Sequence, residues 1–282
     1  MDRNKITIND LSAKKRDGKK ITMLTAYDYP VARIVDEAGI DVILVGDSLG
    51  MVVLGYESTV PVTMDEMIHH AKAVRRGTKY AFLIGDMPFM SYQISNEEAV
   101  RNAGRFMKEA GCDAVKLEGG DEVLGVTKAI ISAGIPVLGH LGLTPQTVSK
   151  LGGYKVQGRD CSTAQKIIDQ ALRLERAGCF AIVLECVPGE VAGMISKRVK
   201  IPIISCGAGP GCDGQVMVTY DMIGIFDRFV PKFVKKYIDL RAVMSKAFKA
   251  YKDDVESGKF PGEEHTFTIK SEEFKKLKKG RA

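Results

Sequence analysis

The chain has 282 residues, of which 45% are hydrophobic and 27% charged, a composition typical of a soluble globular protein with one large core. Its longest apolar runs fall far short of the roughly 18 to 20 residues that span a membrane, which argues against a membrane protein. Because the N-terminal sequence MDRNKITIND contains no apolar segment resembling a signal peptide, we expect a cytoplasmic protein.

The net charge of +6 comes from the two ends of the chain. Residues 1–20 hold seven Lys or Arg against three Asp or Glu, and residues 229–282 hold fourteen against eight. The body between them has 20 basic and 24 acidic residues. No basic motif is interleaved with aromatic residues, so we predict neither a nucleic-acid nor a membrane partner.

The six cysteines show no CxxC spacing. They lie mostly beside or within apolar runs, where a reduced thiol packs as a small hydrophobic side chain. We therefore expect buried free thiols and neither disulfides nor a zinc site at positions 112, 161, 179, 186, 206 and 212.

Short apolar strands alternate with helical patterns along most of the chain. A helix over 29–38 follows the first strand, and a capping box at Thr63 and Glu66 begins the helix that follows a long loop after the second. Residues 141–159 are predicted as a loop, and the chain is predicted to be helical from Phe229. The eight predicted strands cover residues 21–27, 42–45, 81–87, 114–118, 136–140, 181–185, 201–205 and 216–221.

Four segments share the same succession of features. Each has the end of a helix, an Ala-Gly pair that terminates the helix, and a short loop into a strand rich in Val, Ile and Leu. Near-continuous apolar strands joined by helices are typical of a parallel sheet covered by helices. Eight such strands favour a closed (β/α)8 TIM barrel, one domain over 1–282 with a polar segment at 1–20 and a mixed-charge tail from about 261 to 282. The repeats are EAGIDVILV (37–45), EAGCDAVKL (109–117), SAGIPVLG (132–139) and RAGCFAIVL (176–184).

Ionisable side chains stand at or near the C-terminal ends of five predicted strands. In a barrel these ends share one face, and that face carries the active site. Residues far apart in the sequence therefore converge there. They are Asp47, Asp86, Lys116, Glu118, His140 and Glu185.

Three carboxylates on neighbouring strand ends, Asp47, Asp86 and Glu118, repel one another unless a positive charge lies among them. A hard divalent cation with oxygen ligands, most simply Mg²⁺, satisfies this requirement. The competing interpretation is that each carboxylate caps a helix or pairs with Lys or Arg.

The remaining strand-end groups have candidate roles in the same chemistry. Lys116 could bind an anionic substrate oxygen or form a salt bridge to a carboxylate, and His140 could bind a substrate carboxylate, carry a proton or serve a structural role. Glu185, expected across the barrel from the metal site, suits a general base. A metal that binds a 2-oxo acid acidifies the adjacent C–H bond, so the site predicts enolate chemistry.

The sequence also resembles the ketopantoate hydroxymethyltransferase family, also called 3-methyl-2-oxobutanoate hydroxymethyltransferases, from about residue 20 to 260. Long motifs occur in the family's order, and no catalytic position departs from the family pattern. They are VGDSLGMVVLGYESTVPVTMDEMIHH, GDMPFMSYQ, VKLEGG, GHLGLTPQ, GGYKVQGR and GAGPGCDGQV.

The resemblance implies a barrel of the phosphoenolpyruvate/pyruvate-binding type, assembled as a homo-oligomer, commonly a decamer. It implies transfer of a hydroxymethyl group from 5,10-methylenetetrahydrofolate to 3-methyl-2-oxobutanoate, giving 2-dehydropantoate on the route to pantothenate and coenzyme A. By the same resemblance, Asp47, Asp86 and Glu118 correspond to the ligands of one Mg²⁺ per subunit, and Glu185 to the proton acceptor. Substrate contacts would come from Asp47, Ser48, Asp86, Lys116 and His140.

Two other functions remain open. A related Mg²⁺-dependent lyase or mutase acting on 2-oxo acids or phosphoenolpyruvate-like substrates would share the metal and the enolate. A catalytically silent barrel that binds a metabolite or serves as a scaffold would not need the strand-end groups, all of which are present here.

Overall fold

The computed structural model, which describes residues 3–280, is a closed barrel of eight parallel strands and confirms the predicted (β/α)8 class. Residues 1, 2, 281 and 282 of the predicted domain lie outside the described range. Each strand pairs with the next, and the last pairs with the first, which closes the barrel. The strands are β1 (Ile21–Thr25), β2 (Val42–Val45), β3 (Phe82–Asp86), β4 (Ala114–Glu118), β5 (Val137–Gly142), β6 (Ala181–Glu185), β7 (Ile203–Cys206) and β8 (Gly214–Met217).

Helices follow the strands and cover the barrel. The three 3₁₀ turns lie at Asp121–Val123, Pro145–Thr147 and Glu263–His265. The α-helices are α1 (Ile8–Arg16), α2 (Tyr29–Glu37), α3 (Leu49–Val52), α4 (Met64–Gly77), α5 (Asn96–Lys108), α6 (Leu124–Ser132), α7 (Val148–Leu151), α8 (Cys161–Ala177), α9 (Gly189–Arg198), α10 (Thr219–Met222), α11 (Leu240–Glu256) and α12 (Ser271–Lys279).

Two apolar clusters hold the barrel together. The larger lies between the strands and the surrounding helices, where the apolar faces of α2, α4, α5, α6, α8 and α9 are buried. The smaller fills the barrel interior, and Leu11 of α1 packs onto it. Apolar strand residues contribute to both clusters, so they face the surrounding helices as well as the barrel interior. The polar side chains of the strands are therefore concentrated at the strand ends.

Several predicted boundaries of helices and loops are wrong. The loop expected between the second strand and Thr63 contains helix α3, and the loop expected over 141–159 contains the end of β5, a 3₁₀ turn and α7. The helix expected from Phe229 begins only at Leu240, because Asp239 caps it by accepting a hydrogen bond from the Ala242 N–H.

The last strand begins and ends earlier in the chain than predicted. It ends at Met217, and Thr219 then begins the short helix α10 instead of continuing the strand. The Thr219 hydroxyl donates to the Thr25 carbonyl, and its N–H donates to the Thr25 hydroxyl at 3.0 Å. These bonds turn the chain back over β1, so the polar half of VMVTYD leaves the sheet.

The cysteine prediction is only partly correct. All six thiols are free, and Cys112, Cys179 and Cys212 are buried as expected. Cys161 is exposed at the start of α8, because the first turn of that helix faces solvent. Cys186 and Cys206 are half-buried near the end of β6 and β7.

Asp221 in α10 carries a buried carboxyl group with a predictable effect on stability. It is 7% exposed, and its Oδ1 atom has no hydrogen-bond partner among the described residues. Burial raises the pKa of Asp221 to about 6. Since the folded pKa exceeds the unfolded one, the cost of ionising the group appears as pH rises from about 4 to 6 and persists above that window.

We expect Asp221→Asn to raise the free energy of unfolding at pH 7.5 by about 1–3 kcal/mol, because the amide cannot ionise. The gain should shrink to a few tenths of a kcal/mol near pH 4, where the wild-type carboxyl is protonated when folded. Urea unfolding at both pH values measures it. Asp254→Asn, a change at an exposed residue of α11, is the matched control. A gain of equal size at both pH values would contradict the argument.

Candidate active site

The barrel gathers five of the predicted ionisable side chains into one buried group at the C-terminal ends of β2 to β5. Each is at most 5% exposed. Strand register explains the convergence, since Asp86 pairs with Lys116 across β3 and β4, and Glu118 pairs with His140 across β4 and β5. The group, called the strand-end cluster below, consists of Asp47, Asp86, Lys116, Glu118 and His140.

Lys116 lies among the carboxylates. Its Nζ is 2.7 Å from Oδ1 of Asp86 and 3.6 Å from Oε1 of Glu118. The other oxygen of Asp86 accepts a hydrogen bond from the Asp47 N–H at 3.1 Å, which ties the end of β3 to the turn after β2. Burial alone would lower the pKa of Lys116, but the neighbouring carboxylates outweigh it and raise that pKa, so the ammonium stays charged.

The carboxylates of the cluster are not equivalent. Burial, and then the charge of Asp86, raises the pKa of Asp47 well above its usual value. Burial also raises the pKa of Asp86, against the opposing effect of Lys116. For Glu118 burial acts in the same direction, but Lys116 and His140 outweigh it and lower the pKa. Three carboxyl groups thus share two cationic groups, Lys116 and His140, and Glu118 is the carboxylate that these two groups favour most in its ionised form.

An excess of buried carboxylate oxygen is a donor set suited to a hard divalent cation. Within residues 3–280, however, no three His, Cys, Asp or Glu side chains converge closely enough to form a metal site as they stand. The ammonium group of Lys116 lies beside oxygens of Asp86 and Glu118. The carboxylate oxygens themselves are the kind of donor that fits Mg²⁺.

His140 connects the cluster to Glu185. Its Nδ1 is 3.4 Å from Oε1 of Glu118, and its Nε2 is 3.3 Å from Oε2 of Glu185. Burial and Lys116 both act to lower the pKa of His140, but Glu118 and Glu185 outweigh them and raise it to about 9. Glu185 stands on β6, which is opposite β2 in the barrel and next to β5, and the imidazole of His140 bridges it to the cluster.

The backbone at the end of β5 fixes the position of Glu185. Gly142 has a φ of +94°, and a Cβ atom there would lie 2.2 Å from the Glu185 carbonyl oxygen. Only glycine allows this approach. The Leu143 N–H donates to the same oxygen at 2.8 Å, and the side chain of Glu185 stays 18% exposed. Glu185 is thus more exposed than any member of the strand-end cluster.

Ser48 lies beside the cluster, and within residues 3–280 its side chain makes no hydrogen bond to the charged groups of the cluster. Its hydroxyl is 2.9 Å from the hydroxyl of Tyr27, a buried residue that follows β1. The Ser48 side chain therefore faces the β1 side of the barrel mouth, next to Asp47.

Two buried residues of the site escaped prediction. Gln146, in the 3₁₀ turn after β5, hydrogen-bonds Asp47 and Glu118, and Tyr92 hydrogen-bonds Gln146. The TPQ segment was predicted only as part of a loop, and a loop has no periodicity that would indicate which side chain points inward. The sequence contained no signal for either role.

A closed parallel barrel with a buried, mutually contacting set of ionisable side chains at its C-terminal face defines a (β/α)8-barrel enzyme. The sequence profile of the ketopantoate hydroxymethyltransferases matches residues 5–263. The chain belongs to this family of transferases.

Curated relatives agree over nearly their whole length. The 3-methyl-2-oxobutanoate hydroxymethyltransferase of Syntrophomonas wolfei subsp. wolfei is 58% identical over 273 residues, covering 97% of this chain and 99% of that protein. The enzyme of the same name from Carboxydothermus hydrogenoformans is 55% identical over 269 residues, covering 95% and 98%.

Solved structures share the fold at low sequence identity. Phosphonopyruvate hydrolase in complex with oxalate and Mg²⁺ has a TM-score of 0.60 and 14% identity, over 98% of this chain and 99% of that one. 2,3-Dimethylmalate lyase, a member of the PEP mutase/isocitrate lyase superfamily, has a TM-score of 0.59 and 15% identity, over 98% of each chain. Separately, none of the helices within residues 3–280 combines the length and apolar content required to cross a membrane.

Proposed function

We propose that this protein transfers a hydroxymethyl group from 5,10-methylenetetrahydrofolate to 3-methyl-2-oxobutanoate, giving 2-dehydropantoate, the first step toward pantothenate and coenzyme A. Family membership over residues 5–263 supports the reaction. The observation that carries the mechanism is that His140 connects Glu118, one of the three buried carboxylates, to the less buried Glu185.

We assign Asp47, Asp86 and Glu118 as the residues that would hold one Mg²⁺. The oxygen donors of three neighbouring buried carboxyl groups support the assignment, and a protein of the same fold is known in complex with Mg²⁺ and oxalate. Mg²⁺, when bound, supplies a Lewis acid that makes the C–H bond next to the oxo group of the substrate more acidic.

The remaining cluster residues bind and orient the oxo acid. Lys116 keeps its charge and attracts an anionic substrate oxygen. His140 is protonated at neutral pH and can donate a hydrogen bond to the substrate carboxylate while it stays close to Glu185. Ser48 offers a hydroxyl at the edge of the cluster, next to Asp47. These positively charged and donor groups suit a substrate with a carboxylate and an oxo group.

Glu185 takes the proton from C3 of the oxo acid. The electrons of the C3–H bond then form the enolate, whose charge the cationic groups of the site stabilise. Water adds to the one-carbon unit of the folate as its bond to one folate nitrogen breaks, and cleavage of the bond to the second nitrogen releases tetrahydrofolate and leaves that carbon at the aldehyde level. C3 of the enolate then forms the carbon–carbon bond to this carbonyl carbon, and the resulting alkoxide takes a proton to give the hydroxymethyl group, so atoms and electrons balance.

We further propose that the protein is a homo-oligomer, a decamer by family resemblance. The support is its C-terminal segment, where α11 buries none of its residues. Exposed apolar surface of this extent is typical of a protein interface. The exposed aromatic residues include Tyr237, Phe248, Tyr251, Phe267 and Phe274. Light scattering of the whole chain tests this, and a monomer at micromolar concentration would contradict it.

Turnover assays distinguish the proposed function from the rival one, a lyase or mutase that acts on related substrates. With Mg²⁺ present, we expect the protein to consume 3-methyl-2-oxobutanoate only when methylenetetrahydrofolate is also present. Phosphonopyruvate and 2,3-dimethylmalate, offered without folate, should remain unchanged. Mass spectrometry of the reaction mixtures measures both results. Consumption of either of these substrates without folate would favour the rival.

A further inference from the structure

Gln146 contacts two of the three carboxylates assigned to the cation. It is 3% exposed in the 3₁₀ turn that follows β5. Its side-chain Nε2 donates to Oδ2 of Asp47 at 2.8 Å, and its main-chain N–H donates to Oε2 of Glu118 at 3.1 Å. Gln146, which is uncharged, thus connects the C-terminal ends of β2 and β4.

The orientation of the Gln146 amide is fixed by its other partners. Nε2 also donates to the Met87 carbonyl at 2.9 Å, and a carbonyl can only accept, so the NH₂ group must lie on that side. Oε1 accepts from the Tyr92 hydroxyl at 2.6 Å. Both amide hydrogens and the amide oxygen therefore have partners, and a flipped amide would face two acceptors with its oxygen.

Tyr92 anchors this amide to β4. Its hydroxyl accepts a hydrogen bond from the Glu118 N–H at 3.1 Å while it donates to Gln146. A phenol has one proton to donate, and the shorter of its contacts with an acceptor is the one to Oε1 of Gln146 at 2.6 Å. The position of the Gln146 side chain is thus tied to the same strand that carries Lys116 and Glu118.

These bonds leave specific oxygens for a cation. Oδ2 of Asp47 and Oε2 of Glu118 are taken by Gln146. Oε1 of Glu118 faces inward, 3.6 Å from Nζ of Lys116. Partners of this kind orient ligating carboxylates without adding a charge that would compete with the metal.

We propose that Gln146 is a positioning residue that orients Asp47 and Glu118 for the divalent cation, with Tyr92 fixing the orientation of its amide. The inference rests on the proposed metal-dependent function. It assigns the loop after β5 a role in metal affinity, in addition to any role as a cover over the barrel mouth.

The test is titration of the full-length protein with Mn²⁺, a spectroscopic substitute for Mg²⁺, with free Mn²⁺ measured by electron paramagnetic resonance. Gln146→Met keeps the side-chain size and removes both amide donors, so we expect the Kd for Mn²⁺ to rise by about 10- to 100-fold. Tyr92→Phe should raise it in the same direction but less. At saturating metal, kcat of both variants should return to within a few-fold of wild type, since the reacting groups remain.

Gln157→Met is the matched control, because Gln157 belongs to the same loop but its side chain donates only to the Lys155 carbonyl. It should leave the Kd unchanged, and circular dichroism should report folded protein for every variant. If Gln146→Met does not fold, Tyr92→Phe decides. Wild-type affinity in Gln146→Met, or in Tyr92→Phe when that variant decides, would overturn the inference alone. A wild-type protein that binds no Mn²⁺ would overturn the proposed metal centre as well.

Discussion

Glu185→Gln should abolish exchange of the C3 proton of 3-methyl-2-oxobutanoate with deuterated water. The amide keeps the size of the side chain and its place beside His140, but it cannot accept the proton. Loss of a positioned general base typically slows a reaction by about 100- to 10,000-fold, and we expect exchange and overall turnover to fall together by that amount. Proton NMR of the oxo acid, incubated with enzyme and Mg²⁺ but without folate, measures the exchange directly.

The exchange experiment has a matched control in Glu190, an exposed residue of α9 that is five positions further along the chain. Glu190→Gln should exchange the proton at the wild-type rate. Exchange at the wild-type rate in Glu185→Gln would show that another group is the base. Glu118 of the strand-end cluster would then be the first group to examine, since His140 lies between it and Glu185.

Asp47→Asn combined with Asp86→Asn should remove metal binding. Two of the three carboxylates lose their charge, and Lys116 remains beside Glu118, so an incoming cation would meet an ammonium group with little to offset it. We expect Mn²⁺ affinity to fall by more than about 100-fold and metal-dependent product formation to become undetectable. Calorimetric titration with Mn²⁺ and the product assay measure the two effects.

The surface control is Asp65→Asn, which removes one carboxylate whose side chain is 85% exposed. It should bind metal as the wild type does. Circular dichroism should confirm that the double variant folds, because Asp86→Asn also removes the buried carboxylate nearest to Lys116. If the double variant retained metal-dependent activity, the metal assignment would be wrong.

The sequence predicted the barrel because the signal repeats. Each Ala-Gly stop leads into a nearly continuous apolar strand, and four of these units are sufficient to indicate parallel strands covered by helices. The strand boundaries were accurate where a strand is buried on both sides, as for β4 and β6. They failed at β8, where hydrogen bonds from Thr219 to Thr25 override the β-forming character of VMVTYD.

The membership of the strand-end cluster was predictable for the same topological reason, since parallel strand ends share one face. Its internal contacts were not. Whether Lys116 contacts a carboxylate, and whether His140 contacts Glu185, depends on barrel register and on rotamers. Neither of these is encoded in local sequence periodicity.

Gln146 shows the limit most clearly. Its amide reaches Asp47, which is 99 residues earlier in the chain, and it does so from a turn with no regular period. The resemblance contained the residue within GHLGLTPQ, but a motif match by itself gives a side chain no partner. Only the folded chain brings the amide to the carboxylates.

The most direct test of the central claim is transfer of an isotopic label. The full-length protein would be incubated with Mg²⁺, 3-methyl-2-oxobutanoate and methylenetetrahydrofolate carrying ¹³C in its one-carbon unit, and the products followed by ¹³C NMR. We predict that the label appears in the hydroxymethyl carbon of 2-dehydropantoate, that EDTA stops its appearance and that added Mg²⁺ restores it. Consumption of the oxo acid without labelled product, or labelling that EDTA leaves unchanged, would contradict the proposed metal-dependent hydroxymethyl transfer.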